Sequence, residues 1–163
     1  MDKKSRFIKV IKQHQGLIFK VASLYTNSLH DNEDLRQEIV YQLWKSFDTF
    51  NEQAKLSSWM YRVAMNTAIY NLKSSKKQIS TIAIDDRTER HADVVDKWEE
   101  EKESLLYESI RTLSLLDRGI VLLYLEEKSH KEIAEIVGIS SSNVGTRISR
   151  IKEKLKSQII KRQ

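Results

Sequence analysis

The sequence contains no cysteine and no proline, and only four of its 163 residues are glycine. Without cysteine, neither a disulfide framework nor a zinc site with thiolate ligands can form. The scarcity of proline and glycine favours an all-α chain, because these residues most often interrupt helices. No window holds the run of about 18 apolar residues that a membrane span needs. The N-terminal residues also lack the apolar segment of a signal peptide, and we therefore expect a soluble, cytoplasmic protein without membrane insertion.

The charge is distributed unevenly along the chain. The formal net charge is +5 and the sequence pI is near 9.3, which favours an acidic partner such as nucleic acid. Residues 78–104, however, carry nine acidic and four basic side chains and show little helical periodicity in their first half. We interpret residues 1–77 and 105–163 as two small helical domains joined by a flexible acidic linker, 78–104. A single domain with an acidic surface loop is the alternative.

Apolar residues recur at helical spacing in the first domain. Two shorter helices are predicted near Phe7 and Leu17, and two longer ones follow. Either Ser57 or Ser58 is expected to cap the last of them. The apolar stripes of the longer helices are Leu35, Ile39, Leu43 and Phe47, and then Leu56, Met60, Val63 and Thr67.

The second domain carries clear signals for the start and end of helices. Ser114 with Asp117, and Ser129 with Glu132, each fit a capping box. Gly138 is well placed to end the helix that begins after Ser129. The pattern then resumes within a few residues, which predicts a helix-turn-helix over "SHKEIAEIVGISSSNVGTRISRIKEKL".

The serines in this turn suit a helix that approaches DNA. Ser140 or Ser141 can cap the second helix, and Ser141, Ser142 and Asn143 leave its first turn free of acidic charge. Short hydroxyls and an amide can approach phosphate oxygens and base edges, and the rest of the helix is basic. A surface pair of helices with a solvated basic face is the alternative.

The stretch "KLSSWMYRVAMNTAIYNLKSSKK" in the first domain mixes aromatic and cationic side chains along one helix. Trp59 and Tyr61 accompany Arg62, Asn66 and Lys73, a combination that suits unpaired DNA, where bases stack on rings and phosphates meet cations. Packing of the two aromatic rings in the core is the other interpretation.

Acidic residues crowd the start of the preceding helix, in "EDLRQE" from Glu33 to Glu38. They suit the helix dipole, which is one explanation. A metal site with His30 and a polar docking patch for a protein partner are the other two.

Together these segments resemble a known family. "EDLRQE…LWKSFDTFNEQAKLSSWMYRVAMNTAIYNLKSSKK" resembles region two of bacterial sigma factors, and "LSLLDRGIVLLYLEEKSHKEIAEIVGISSSNVGTRISRIKEKL" resembles their region four. With only a short linker between the two blocks, the chain is similar to the compact extracytoplasmic-function group of the sigma-70 family.

The resemblance implies a specificity subunit of RNA polymerase that directs the core enzyme to promoters. The residues it implicates in docking on the clamp helices of the largest subunit are Asp34, Leu35, Gln37 and Glu38. Those implicated in opening the minus-ten element are Trp59, Tyr61, Arg62 and Asn66, with Lys73 as a further DNA contact. Those implicated in reading the minus-thirty-five element are Asn143, Thr146, Arg147 and Arg150, preceded by Ser141.

The partners implied are core RNA polymerase, including its flap, promoter DNA and, in this family, an anti-sigma factor. A free-standing helix-turn-helix regulator that binds duplex DNA without polymerase is the competing hypothesis. No nucleophile–base pair, glycine-rich phosphate loop or metal-ligand spacing is found, so we expect neither enzymatic activity nor a cofactor or metal.

Overall fold

The computed structural model describes residues 2–50, 55–78 and 105–162. All regular secondary structure in these ranges is helical, and the chain divides into two compact units, Met1–Arg87 (unit 1) and Thr88–Gln163 (unit 2). The predicted all-α fold with two small helical domains is confirmed.

The predicted linker 78–104 falls almost wholly outside the described residues. Its first residue, Gln78, is the last residue of a helix. The division between the two units lies inside the predicted linker.

The elements of unit 1 are α1 (Lys3–Gln13), α2 (Gln15–Leu24), α3 (Leu29–Ser46), a 3-10 turn (Phe47–Thr49) and α4 (Leu56–Gln78). Three of these helices, α2, α3 and α4, pack against one another around buried Val21, Ile39, Leu43 and Met60. Most of the two predicted apolar stripes therefore faces this core.

The start of α4 differs from the prediction. The helix begins at Leu56, and the carbonyl oxygen of Lys55 accepts a hydrogen bond from the Trp59 amide at 3.1 Å. Ser57 and Ser58 therefore lie inside the first turn, where neither occupies the capping position that precedes a helix.

The elements described in unit 2 are α5 (residues 105–111), α6 (Leu115–Leu125), α7 (His130–Val137) and α8 (Ser141–Arg162). The helices α6, α7 and α8 pack around Ile120, Leu123, Ile133 and Val144, and Ile110 of α5 is also fully buried.

The predicted signals at the helix ends in unit 2 are confirmed. The Ser114 hydroxyl accepts a hydrogen bond from the Asp117 amide at 3.2 Å, and the Ser129 hydroxyl accepts one from the Glu132 amide at 3.1 Å. Gly138 ends α7 with φ +80°, a left-handed conformation that glycine adopts without a steric penalty. α7, this turn and α8 form the predicted helix-turn-helix.

Candidate nucleic-acid interface

One side of α4 carries most of the residues predicted to meet unpaired DNA. Successive residues of an α-helix are rotated by about 100°, which places Trp59, Arg62, Asn66 and Lys73 on the same side. Arg62, Asn66 and Lys73 are exposed, and Trp59 is half-buried at the start of this surface. We call these four residues, together with Tyr70 on the same side of the helix, the α4 face.

Tyr61 does not belong to the α4 face. It lies about 200° around the helix from Trp59, and only 4% of its surface is exposed. The expectation that Tyr61 meets DNA is therefore corrected, because its ring is part of the core.

Tyr70, rather than Tyr61, is the exposed tyrosine on the α4 face. It follows Trp59 by about three full helical turns, and 72% of its surface is exposed. Its ring lies between Asn66 and Lys73 along the α4 face. The prediction missed it, although its spacing from Trp59 is readable in the sequence.

Trp59 is held by a cluster of aromatic rings. Its ring centroid lies 5.1 Å from that of Phe50 and 6.4 Å from that of Phe47. Phe47 in turn packs edge-on against Phe7 of α1 at 5.4 Å, and Phe7 lies 5.1 Å from Trp44. The indole is therefore held by packing while part of it stays exposed, and its contact with unpaired DNA stays a prediction.

The acidic start of α3 presents a polar surface. Asp34 and Gln37 are exposed, and Glu38 is half-buried and accepts a hydrogen bond from Gln42 at 3.1 Å. Leu35 is only 5% exposed. It faces the core of unit 1, which corrects its assignment to a docking surface.

The geometry at the start of α3 does not support the metal interpretation. His30 Nε2 lies 3.4 Å from Asp34 Oδ2, as an exposed pair one turn apart. In the described part of the chain, no group of three or more His, Asp or Glu side chains could hold a metal ion.

Tyr41 lies about two turns after Asp34 on α3. It shares a side of the helix with Asp34, Gln37 and Glu38, and 52% of its surface is exposed. The ammonium of Lys45 lies 5.3 Å from the centre of its ring. Tyr41 was not among the predicted docking residues, although its spacing from Asp34 is readable in the sequence.

The recognition helix α8 starts as the serine run predicts. The Ser140 hydroxyl accepts a hydrogen bond from the Asn143 amide at 3.2 Å, so Ser140 rather than Ser141 is the cap. No acidic residue lies in the first turn. The exposed candidate residues of α8 are Ser141, Asn143, Thr146 and Arg150.

Arg147 differs from the other candidates on α8. Its guanidinium Nη1 lies 2.9 Å from Asp117 Oδ1, and the side chain is 34% exposed. Arg147 is therefore less exposed than the other candidates and is held in an ion pair with α6.

None of the helices over the described residues is both long enough and apolar enough to cross a membrane.

Comparisons with known proteins agree along most of the chain. Residues 10–78 match the family model for Sigma-70 region 2, and residues 103–155 match that for Sigma-70, region 4. The chain is 30% identical to the ECF RNA polymerase sigma-E factor of Haemophilus influenzae, over 97% of this chain and 89% of that protein. It is 27% identical to the RNA polymerase sigma factor SigV of Bacillus subtilis, over 97% of this chain and 93% of that protein.

Two solved structures share the fold at 17% sequence identity. CnrH in complex with the cytosolic domain of CnrY matches with a TM-score of 0.72, over 99% of this chain and 92% of that chain. The sigma factor RpoE in complex with the anti-sigma factor NepR from Bartonella quintana matches with a TM-score of 0.70, over 96% of this chain and 95% of that chain.

Proposed function

Since the chain belongs to the extracytoplasmic-function group of the sigma-70 family, we propose that unit 1 docks on core RNA polymerase and opens the minus-ten element while unit 2 reads the minus-thirty-five element. The chain is an RNA polymerase sigma factor, the subunit that directs the core enzyme to promoters. In this proposal it acts in the cytoplasm and has no enzymatic activity of its own.

The main observation behind this proposal is the α4 face, which supports the role of unit 1 in opening the minus-ten element. Arg62 and Lys73 supply exposed positive charge for phosphates, and the Asn66 amide can hydrogen-bond a base edge. Tyr70 is free for stacking, and Trp59 is braced by Phe50 so that it can support an unstacked base. Such a surface suits unpaired strands better than a duplex, whose bases are already stacked.

The docking surface proposed for core polymerase is the exposed side of α3. Asp34, Gln37 and Glu38 supply polar contacts, and Tyr41 supplies a large ring with a polar tip. Tyrosine is enriched among residues that dominate the energy of interfaces, so Tyr41 is the proposed anchor. The clamp helices of the largest subunit are the partner.

The promoter contacts proposed for unit 2 come from the first three turns of α8. Asn143, Thr146 and Arg150 share an exposed side of the helix, and Ser141 lies at its start. These side chains can reach base edges and phosphates in the major groove. Arg147 positions α8 through Asp117.

Two further contacts complete the proposal. Unit 2 would meet the polymerase flap, and the acidic segment 78–104 would follow the basic path by which RNA leaves. The solved complexes of CnrH with CnrY and of RpoE with NepR support an anti-sigma factor as a regulatory partner.

The test is whether the purified protein comigrates with bacterial core RNA polymerase on size exclusion. The wild type should comigrate, and Asp34→Ala/Gln37→Ala should not. Glu135→Ala/Gln13→Ala removes the same chemical groups from exposed positions on other helices, and it should behave as the wild type.

Failure of the wild type to comigrate, combined with tight binding to duplex DNA alone, would favour the free-standing regulator. Equal comigration of both double variants would instead contradict the docking surface.

A further inference from the structure

The exposed side of α1 carries a row of positive charges. The 11 residues of α1 include five Lys or Arg and no Asp or Glu. Three of these cations, Arg6, Lys9 and Lys12, follow one another at intervals of three residues, and all three are exposed. We call these three residues the α1 row. Side chains at this spacing are neighbours on the surface of a helix, so like charges there repel one another.

The carboxylates beside α1 do not neutralise the α1 row. Asp2 caps the helix, and its Oδ1 accepts a hydrogen bond from the Ser5 amide at 2.8 Å. Asp48 Oδ2 accepts a hydrogen bond from the Lys3 ammonium at 2.8 Å. Among the described residues, no member of the α1 row forms an ion pair. The repulsion within the row is therefore left for an anionic partner to relieve.

The α1 row offers charge to phosphates but no aromatic ring to bases. Phe7 is the one aromatic residue of α1, and it is only 8% exposed because it packs against Trp44 and Phe47. Unpaired bases bind mainly by stacking on rings. A duplex keeps its bases stacked inside and presents about one negative charge per 1.7 Å of its axis. The α1 row therefore suits the backbone of a duplex better than an unpaired strand.

Packing connects the α1 row to the α4 face. The Arg6 guanidinium lies 5.8 Å from the centre of the Phe47 ring, and the Phe47 centroid lies 6.4 Å from that of Trp59. Each step of three residues advances about 4.5 Å along a helix and turns about 60° around it. The row therefore runs from the Phe47 ring onto the outer side of α1, and it extends the positive surface of unit 1 beyond Trp59.

We propose that the α1 row binds phosphates of the promoter duplex next to the opened segment. Opened DNA is flanked by duplex on both sides, and the row lies past the Trp59 end of the α4 face. The contact is with the backbone alone, so it adds affinity without adding sequence preference. The inference rests on the proposed role of unit 1 in opening the minus-ten element.

The test measures how salt weakens binding of the holoenzyme to a fluorescein-labelled promoter fragment, followed by fluorescence anisotropy. Lys9→Gln/Lys12→Gln should lower the slope of log affinity against log salt by about 1.8 in magnitude, since each phosphate contact on a duplex contributes about 0.9. Lys4→Gln/Lys161→Gln removes two exposed lysines outside the α1 row and should keep the wild-type slope. Equal slopes for the two variants would overturn the proposal.

Shortened promoter fragments test whether the contacted DNA is duplex. Two fragments are used, each lacking the duplex on one side of the minus-ten element. On one of them Lys9→Gln/Lys12→Gln should bind as tightly as the wild type, because the contacted duplex has been removed. A loss of affinity that is the same on both shortened fragments and on the full fragment would overturn the duplex contact.

A third variant, Arg62→Gln/Lys73→Gln, separates this inference from the proposed function. It should slow promoter opening, measured by permanganate reactivity. If it does so while Lys9→Gln/Lys12→Gln keeps the wild-type slope, the α1 contact is wrong and the proposed function stands. If it opens the promoter as the wild type does while Lys9→Gln/Lys12→Gln lowers the slope, the role of the α4 face is wrong and the α1 contact stands.

An anionic membrane surface is the other partner that a basic helix can bind, but such a helix inserts an apolar face into the membrane. The apolar side of α1 packs through Phe7 on Trp44 and Phe47 instead. Sedimentation of the free protein with phosphatidylglycerol vesicles tests this alternative. Vesicle binding that is lost in Lys9→Gln/Lys12→Gln, together with an unchanged salt slope on DNA, would overturn the proposal and assign the α1 row to a membrane surface.

Discussion

Arg147 of the recognition helix pairs with Asp117 of the first turn of α6, with 2.9 Å between Nη1 and Oδ1. The two residues are 30 positions apart in sequence, and their side chains are 34% and 23% exposed. The pair joins α8 to α6, and it therefore braces the helix that carries the residues proposed to read the major groove.

We expect this pair to contribute modestly to stability. Arg147→Gln and Asp117→Asn should each lower the free energy of unfolding by about 0.5–1 kcal/mol, the range of partly exposed ion pairs. The double variant should lose little more than either single variant. Urea denaturation followed by circular dichroism measures all three.

The matched cycle pairs Asp117→Asn with Arg150→Gln, because Arg150 is an exposed arginine on the same helix. It should show no coupling. Equal coupling in the two cycles would mean that Asp117 acts through general electrostatics rather than through Arg147.

Substitutions at the two residues with a left-handed backbone conformation should change the free energy of unfolding in opposite directions. Gly138 has φ +80°, and apart from its two chain neighbours no described residue has an atom within 4 Å of the position that a Cβ would take there, so Gly138→Ala should cost about 1 kcal/mol through backbone strain alone. Glu127 has φ +62°, and Glu127→Gly should raise the free energy of unfolding by about 0.5 kcal/mol. Chemical denaturation of both variants measures the shifts, and shifts of the same sign would contradict this account.

The two tyrosines of α4 should separate function from stability. Tyr61→Ala should destabilise unit 1 by about 3 kcal/mol or more, because it empties part of the core. Tyr70→Ala should leave the melting temperature nearly unchanged and slow the opening of promoter DNA. Thermal melting and permanganate footprinting measure the two effects, and a large loss of stability in Tyr70→Ala would remove it from the α4 face.

Tyr41 should anchor the docking surface on α3. Tyr41→Ala should weaken binding to core polymerase by about tenfold or more, the loss typical of a central aromatic residue in an interface. Tyr70→Ala, which removes an exposed ring from α4, should bind core polymerase as the wild type. Surface plasmon resonance with immobilised core enzyme measures both, and unchanged binding of Tyr41→Ala would place the interface elsewhere.

Asn66 should act on DNA opening rather than on the first encounter. Asn66→Ala should slow formation of the open complex by about tenfold, the equivalent of one lost hydrogen bond to a base. Asn71→Ala removes an amide from another side of α4 and should have no effect. Permanganate reactivity on a promoter selected by the holoenzyme from a random library gives the rate, and a normal rate for Asn66→Ala would refute its role.

Local signals explain which parts of the fold were predictable. The caps at Ser114 and Ser129 and the end of α7 at Gly138 depend on groups within about one helical turn. The stripe through Ile39 and Leu43 depends only on helical spacing. The start of α4 was misplaced by this reasoning, because serines are acceptable both before a helix and inside its first turn.

The sequence by itself determined the helical class, the helix-turn-helix and the side of each helix that carries charge, since all of these follow from spacing along one helix. Tertiary structure decided that Tyr61 and Leu35 face the core while Tyr70 and Tyr41 face outward, because burial depends on which neighbours pack there. It also brought Asp117 to Arg147 and α1 to Phe47. Such contacts join residues distant in sequence, and only the packing of one helix on another brings them together.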